Sequence, residues 1–329
     1  MPNENILVTD NILSPENEHE LRKEGFEVYR LAKHSATEDE LIEALKGKSG
    51  YILGGIETVT ERVIKSVDKL RAIVYNNKDY RVYIPAHEMA TRRGIAIANC
   101  PGADSAATAE FALTLMLSME RNVFDVGRTG PLMQFTGRSI GELRVGIIGL
   151  GDVGYNFARL LRGLEVPAVF YFSRTRHEAA EKALGITYLS KKELLSTCNV
   201  ISVHTPRSAG VVLNAEDLAL IPQGGLVINV SYPQAIDSFA LLKEIRNDRL
   251  RAAFDFPPEG ILDHARSISP GRFFWSNEYA GYNTSLALRI IGNMATASII
   301  NLLKKGTDKH LVNPEYHNFR NAQDTEDSI

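Results

Sequence analysis

Short apolar runs alternate with amphipathic stretches through the first hundred residues, the pattern of β–α units feeding a parallel sheet. The runs predict strands at Ile6 to Thr9, Phe26 to Leu31, Tyr51 to Leu53, Ala72 to Tyr75 and Ile95 to Asn99. The punctuation agrees: Ser14 and Pro15 open a helix that Gly25 closes, and Thr37 with Glu40 has the spacing of a capping box. After NCPGAD, the stretch SAATAEFALTLMLSMERN from Ser105 is apolar on most helical faces and predicts a buried crossover helix. A second β–α series starts at Arg144, with strands predicted at Val145 to Ile148, Val169 to Phe172, Val200 to His204, Leu226 to Val230 and Ala252 to Phe256. Ser190 with Glu193 caps one of its helices. A last apolar-periodic helix runs from Leu286 to Lys305 into a glycine, and the tail NAQDTEDSI is polar.

The 329 residues suffice for two domains. Thirty-seven basic against 40 acidic residues, with no long basic run, argue against an electrostatic grip on nucleic acid or an anionic membrane. Small molecules and a second copy of the chain are the expected partners. Cys100 and Cys198 lack metal-ligand spacing and fit a reducing compartment. The start MPNENILVTD has neither a basic nor an apolar leader region, and no apolar run approaches the ~18 residues of a membrane span. The expectation is a cytoplasmic protein without a membrane partner.

The strongest local signal is RVGIIGLGDVGYNFARLL, where Gly149, Gly151 and Gly154 follow an apolar strand and open a helix. The first glycine permits a tight turn, the second lets the backbone approach a pyrophosphate, and the third lets helix and strand pack closely. The helix N-terminus, at Asp152 and Val153, offers free amides and a positive dipole end to the anion. The next predicted strand ends in Ser173, Arg174, Thr175 and Arg176, where a free ribose 2′-hydroxyl calls for Asp or Glu. Guanidiniums and hydroxyls there suit a 2′-phosphate, so NADP(H) is expected in preference to NAD(H).

Taken in order, RRGIAIANCPGADSAATAE, GRSIGELRVGIIGLGDVG, ELLSTCNVISVHTP, GGLVINVS, RAAFDFPPEG and LVNPE resemble segments of the D-isomer-specific 2-hydroxyacid dehydrogenases, and YFSRTR looks most like their glyoxylate and hydroxypyruvate reductase branch. The resemblance implies an α/β chain of two doubly wound parallel-sheet domains. A Rossmann cofactor domain at 102–285 is inserted into a flavodoxin-like substrate domain made of 1–101 and 286–329, in a homodimer. It extends the expected cofactor set to Thr108, Thr205, Pro206, Val230, Ser231 and Asp255.

That family reduces 2-keto acids with an Arg that binds the substrate, a His general acid and a Glu that holds the His. Here Asn229 and Asp237 keep the spacing that brackets the Arg, and Tyr232 stands in its place. Glu259 matches the Glu, while Glu278 occupies the position of the His. The substrate loop, a Gly-x-Gly-x-Asp-Asn pattern in the family, appears here as Asn77, Lys78, Asp79, Tyr80, Arg81 and Val82, preceded by Asn76.

Such a site admits several chemistries. Tyr232 can donate a hydrogen bond, or a proton if Lys78 lowers its pKa; Glu259 beside Glu278 would share a proton and suit an amino or iminium substrate. His204 and His264 are weaker candidates for the missing acid. Three readings stay open: an NAD(P)H-dependent oxidoreductase passing hydride to the carbonyl or imine of a small molecule, a weakly active or inactive cofactor-binding protein that works through interactions, and an ordinary glyoxylate- or hydroxypyruvate-type reductase in which Lys78 or Arg81 replaces the Arg.

Overall fold

The computed structural model describes residues 4–129 and 136–320, so the polar tail from Asn321 lies outside the described residues. The chain divides into two compact units, residues 1–104 with 285–329 and residues 105–284.

The first unit holds a parallel five-stranded sheet in the order β2-β1-β3-β4-β5, with β1 Glu4–Thr9, β2 Phe26–Leu31, β3 Gly50–Leu53, β4 Ala72–Tyr75 and β5 Ala96–Asn99. β3, β4 and β5 are buried at every position, which explains why they read as continuous apolar runs. The capping box at Thr37 and Glu40 forms as expected, Thr37 Oγ1 accepting from the Glu40 amide at 3.3 Å. The helix Ser285–Lys305 lays Ile291, Ala295, Ile299 and Leu302 into the core shared with Ile6, Val8 and Ile52. Each buried Ile or Leu there contributes about 1.5 to 3 kcal/mol. By length and hydropathy this helix could cross a membrane, against the expectation that no segment qualifies. Half of its apolar window is buried inside the protein, as for a core helix, and its few polar residues interrupt the apolar run.

The second unit holds a parallel seven-stranded sheet in the order β12-β11-β10-β9-β6-β7-β8. Its strands are β6 Arg144–Ile148, β7 Ala168–Phe172, β8 Thr187–Tyr188, β9 Val200–Val203, β10 Gly225–Asn229, β11 Leu250–Phe254 and β12 Phe273–Trp275. The chain winds outward from β6 through β7 to β8, returns to β9 on the other side of β6, and winds outward again. The carboxyl ends of β6 and β9 therefore form the switch point at which ligands of open α/β sheets bind. The crossover helix Ser105–Glu120 is buried at Ala109, Ala112, Leu115, Met116 and Met119 within this unit's core.

β9 stops one residue before the expected His204, and β11 ends at Phe254 rather than Phe256. Phe256 remains buried beyond the strand, so its apolar character reports burial and not extended pairing. β8 and β12 carry two and three residues, too few for a periodic signal.

Candidate active site

Each glycine of the loop after β6 has a separate steric role. Gly149 has φ +93°, and a Cβ there would lie 2.5 Å from the His204 carbonyl oxygen. A Cβ on Gly154 would lie 2.1 Å from the Gly149 carbonyl oxygen. At Gly151 an added Cβ meets nothing within 4 Å, so open space stands over the N-cap of the helix Asp152–Gly163. The backbone is thus closed where packing demands glycine and open where an anion would approach the first-turn amides of Asp152, Val153 and Gly154. Beside it, the Thr205 hydroxyl oxygen is buried without a hydrogen-bond partner among the described residues. A nicotinamide dinucleotide fits these features: they offer room for a pyrophosphate and a polar atom awaiting a ligand. Pro206 follows Thr205 out of the switch point.

At the end of β7 the Ser173 hydroxyl donates to the Thr175 carbonyl. Arg176 is forked onto Glu181 at 2.9 and 2.8 Å, which, with Tyr171, holds the Glu181 carboxyl down at about 2. Of the two guanidiniums expected for a 2′-phosphate, Arg176 is tied to the following helix, whereas Arg174 is exposed and makes no ion pair among the described residues. No carboxylate occupies Ser173 to Arg176 to repel a 2′-phosphate.

The loop after β10 is organised by Asn229, whose side chain accepts from the Ser231 amide and donates to the Tyr232 carbonyl. The Ser231 hydroxyl bridges the Val203 carbonyl and the Thr205 amide, locking this loop to the switch point, and Val230 is buried. Tyr232 does not present a free hydroxyl. It is 3% exposed, belongs to the core cluster beneath the sheet, and donates its hydroxyl to the Gly210 carbonyl at 2.5 Å. The three-residue spacing from Asn229 is kept, but an aromatic ring gains more by turning into the core than by facing solvent.

After β11, the buried Asp255 carboxylate accepts from the amides of Ala280 and Gly281. Gly281 packs so closely that a Cβ would lie 2.6 Å from Asp255 Oδ2 and 3.5 Å from the Cα of Thr108. Burial pushes Asp255 up to about 6, against the opposing pull of the two amides. An unfolded Asp titrates near ~3.9, so the folded state holds this proton more tightly. Its stabilising contribution is complete below pH ~3.9 and is lost as pH rises through about 6. Asp255→Asn is expected to cancel that loss: between pH 4 and 7 the variant's unfolding free energy should gain on the wild type by up to about 3 kcal/mol in urea titrations. A constant difference across the range would mean that Asp255 titrates normally.

The expected pairing of Glu259 with Glu278 is not seen. Both are exposed, Glu259 accepts from Gln234 Nε2, and no hydrogen bond joins the two carboxyls among the described residues. Gln234 Oε1 in turn lies 3.3 Å from Arg207, whose guanidinium sits 5.8 Å above the Tyr232 ring. Sequence reading missed this row because its members come from three loops. His204 lies at the switch point with Nε2 on Ser202, and burial drives its pKa down to about 3, so it is neutral. His264 is exposed.

In the first unit, Asn76 donates to the Gly54 carbonyl and Asn77 to Asp104. The carbonyl of Lys78 accepts from Asn99, and Lys78 and Arg81 are exposed, Arg81 over the Tyr80 ring. The Asn side chains thus shape this loop from within. Nearby in sequence, Glu57 is 2% exposed and accepts from Thr9 and Tyr51, a buried carboxylate that no local motif announced.

Residues 113–269 match the family described as D-isomer specific 2-hydroxyacid dehydrogenase, NAD binding domain. A glyoxylate reductase of Thermococcus kodakarensis is 29% identical over 259 residues, 73% of this chain and 75% of that one. A D-3-phosphoglycerate dehydrogenase of Archaeoglobus fulgidus is 28% identical over 260 residues, 75% of this chain and 47% of the relative. Among solved structures, the NAD+-bound 3-phosphoglycerate dehydrogenase of Entamoeba histolytica superposes with a TM-score of 0.80 at 22% identity, covering 94% of this chain and 99% of that one. That likeness establishes the fold.

Proposed function

We propose, on the premise that residues 113–269 belong to the D-isomer specific 2-hydroxyacid dehydrogenase family by their NAD-binding domain, that the protein is an NAD(P)H-dependent oxidoreductase acting on the carbonyl or imine of a small molecule. The observation that carries this reading is the intact cradle at the switch point, with Gly149 and Gly154 sterically obligatory and Gly151 open. When bound, the reduced nicotinamide supplies the hydride. The chain's own part is to hold the pyrophosphate on the amides after Gly151, to meet the cofactor with the Thr205 hydroxyl, and to keep the loops after β9, β10 and β11 in register through Ser231, Asn229 and Asp255. Tyr232 is not assigned the proton, because its hydroxyl is already donated. The names of the relatives make short 2-oxo acids the first substrates to try.

NADP(H) is preferred in this reading, on the absence of a carboxylate at Ser173 to Arg176 and on Arg174, which makes no ion pair among the described residues. Titrating NADPH and NADH while following the only tryptophan, Trp275 in β12, tests both points. The expected result is tighter NADPH binding, with Arg174→Ala weakening NADPH about 10- to 100-fold and leaving NADH unchanged. Equal affinities would remove the NADP(H) preference, and failure to bind either cofactor would remove the oxidoreductase reading.

A second reading, a cofactor-binding protein that works through contacts, draws on the committed Tyr232 hydroxyl and the unjoined carboxyls. It predicts cofactor binding without reduction of any 2-oxo acid.

A further inference from the structure

Several arginines of the second unit are ion-paired. Arg138 and Arg251 bind Glu120, Arg176 binds Glu181, Arg249 binds Glu244 and Arg272 binds Asp248. Arg207, in the turn after β9, has no carboxylate partner among the described residues. It is held instead by the face of Tyr232 and by the side-chain oxygen of Gln234, neither of which compensates its charge.

The orientation of Gln234 follows from its partners. A guanidinium only donates and a carboxylate only accepts, so the Oε1 must face Arg207 and the Nε2 must face Glu259. One amide thus bridges a cation and a carboxylate. Tyr232, anchored through Gly210, supplies a rigid floor under the guanidinium. The result is a preorganised, uncompensated cation two residues beyond Thr205, on the carboxyl edge beside the switch point.

We propose that Arg207 is the anion-binding residue of the substrate site, taking the carboxylate of a small carbonyl compound in a forked hydrogen bond, with Tyr232 and Gln234 as the residues that position it. This rests on the oxidoreductase reading of the same edge. It explains how a site without a cation at position 232 could still select an acid.

The test uses oxalate, a carboxylate that accepts no hydride, titrated calorimetrically into the full-length protein saturated with NADPH. The wild type is expected to bind oxalate at millimolar concentrations or below. Arg207→Ala should weaken oxalate about 10- to 100-fold while the Trp275 titration with NADPH stays unchanged. Arg207→Lys should recover part of the loss, as a point charge lacking the fork. Gln234→Leu, which keeps the cation but frees its orientation, should cost less than Arg207→Ala and serves if that variant fails to fold.

Oxalate binding unaffected by Arg207→Ala would overturn the proposal. So would a wild type that binds NADPH but not oxalate. A loss of NADPH affinity matching the loss of oxalate would make Arg207 a cofactor phosphate ligand and also overturn it. Absence of NADPH binding in the wild type is a separate result, because it defeats the underlying oxidoreductase reading.

Discussion

Replacing Gly151 with alanine is expected to lower cofactor affinity by more than about 100-fold and to leave the melting temperature where it stands. An alanine Cβ there meets nothing within 4 Å, so the apo fold has no reason to resist it. The same methyl would occupy the space through which a pyrophosphate reaches the helix amides. Gly154→Ala makes the counterpart, because its Cβ would fall 2.1 Å from the Gly149 carbonyl oxygen, a backbone atom that cannot rotate away. That variant should lose affinity and also stability, by about 1 to 3 kcal/mol, as strand and helix are pushed apart. Calorimetric melting with the Trp275 titration separates the two losses. If both alanine variants bind NADPH like the wild type, the loop is a packing device and the proposed function falls.

Tyr232→Ala is expected to cost about 3 to 5 kcal/mol, the range for truncating a large aromatic residue in a core. The residue is 3% exposed, and its removal would open a cavity and leave the Gly210 carbonyl without its donor. Tyr232→Phe keeps the ring and loses only the hydrogen bond, so about 1 to 2 kcal/mol is expected. Urea midpoints measure both. The pair also tests the proton-donor role that the sequence position invited. A Tyr232→Phe variant with nearly native stability whose turnover on its best 2-oxo acid falls a hundredfold would return Tyr232 to that role.

The α/β class and the parallel sheets were legible because buried parallel strands read as unbroken apolar runs and their helices carry paired caps. β8 and β12 were not, since two or three residues cannot display a period. The glycine loop was legible because its constraints are local: strand, turn and helix start within ten residues. The neighbouring chemistry was not, because it depends on partners far apart in the chain. Tyr232 finds Gly210, 22 residues away, and Gln234 finds Glu259, 25 residues away. Arg176 and Glu181 are only five apart, yet a sequence cannot say whether an exposed arginine waits for a ligand or has already closed on the following helix.

The discontinuity of the first unit sets an order on synthesis. Residues 105–284 are complete before the helix Ser285–Lys305 leaves the ribosome, whereas the sheet of β1 to β5 must wait for that helix to cover Ile6, Val8 and Ile52. For the time taken to translate the intervening 180 residues, one face of that sheet has no lid. At bacterial or eukaryotic rates this is about 10 to 40 seconds, during which an open apolar surface is available to chaperones or to another nascent chain. That late-arriving helix is also apolar enough to resemble a membrane span. A released chain truncated after Thr284 should therefore show a folded second unit alongside a protease-sensitive first one.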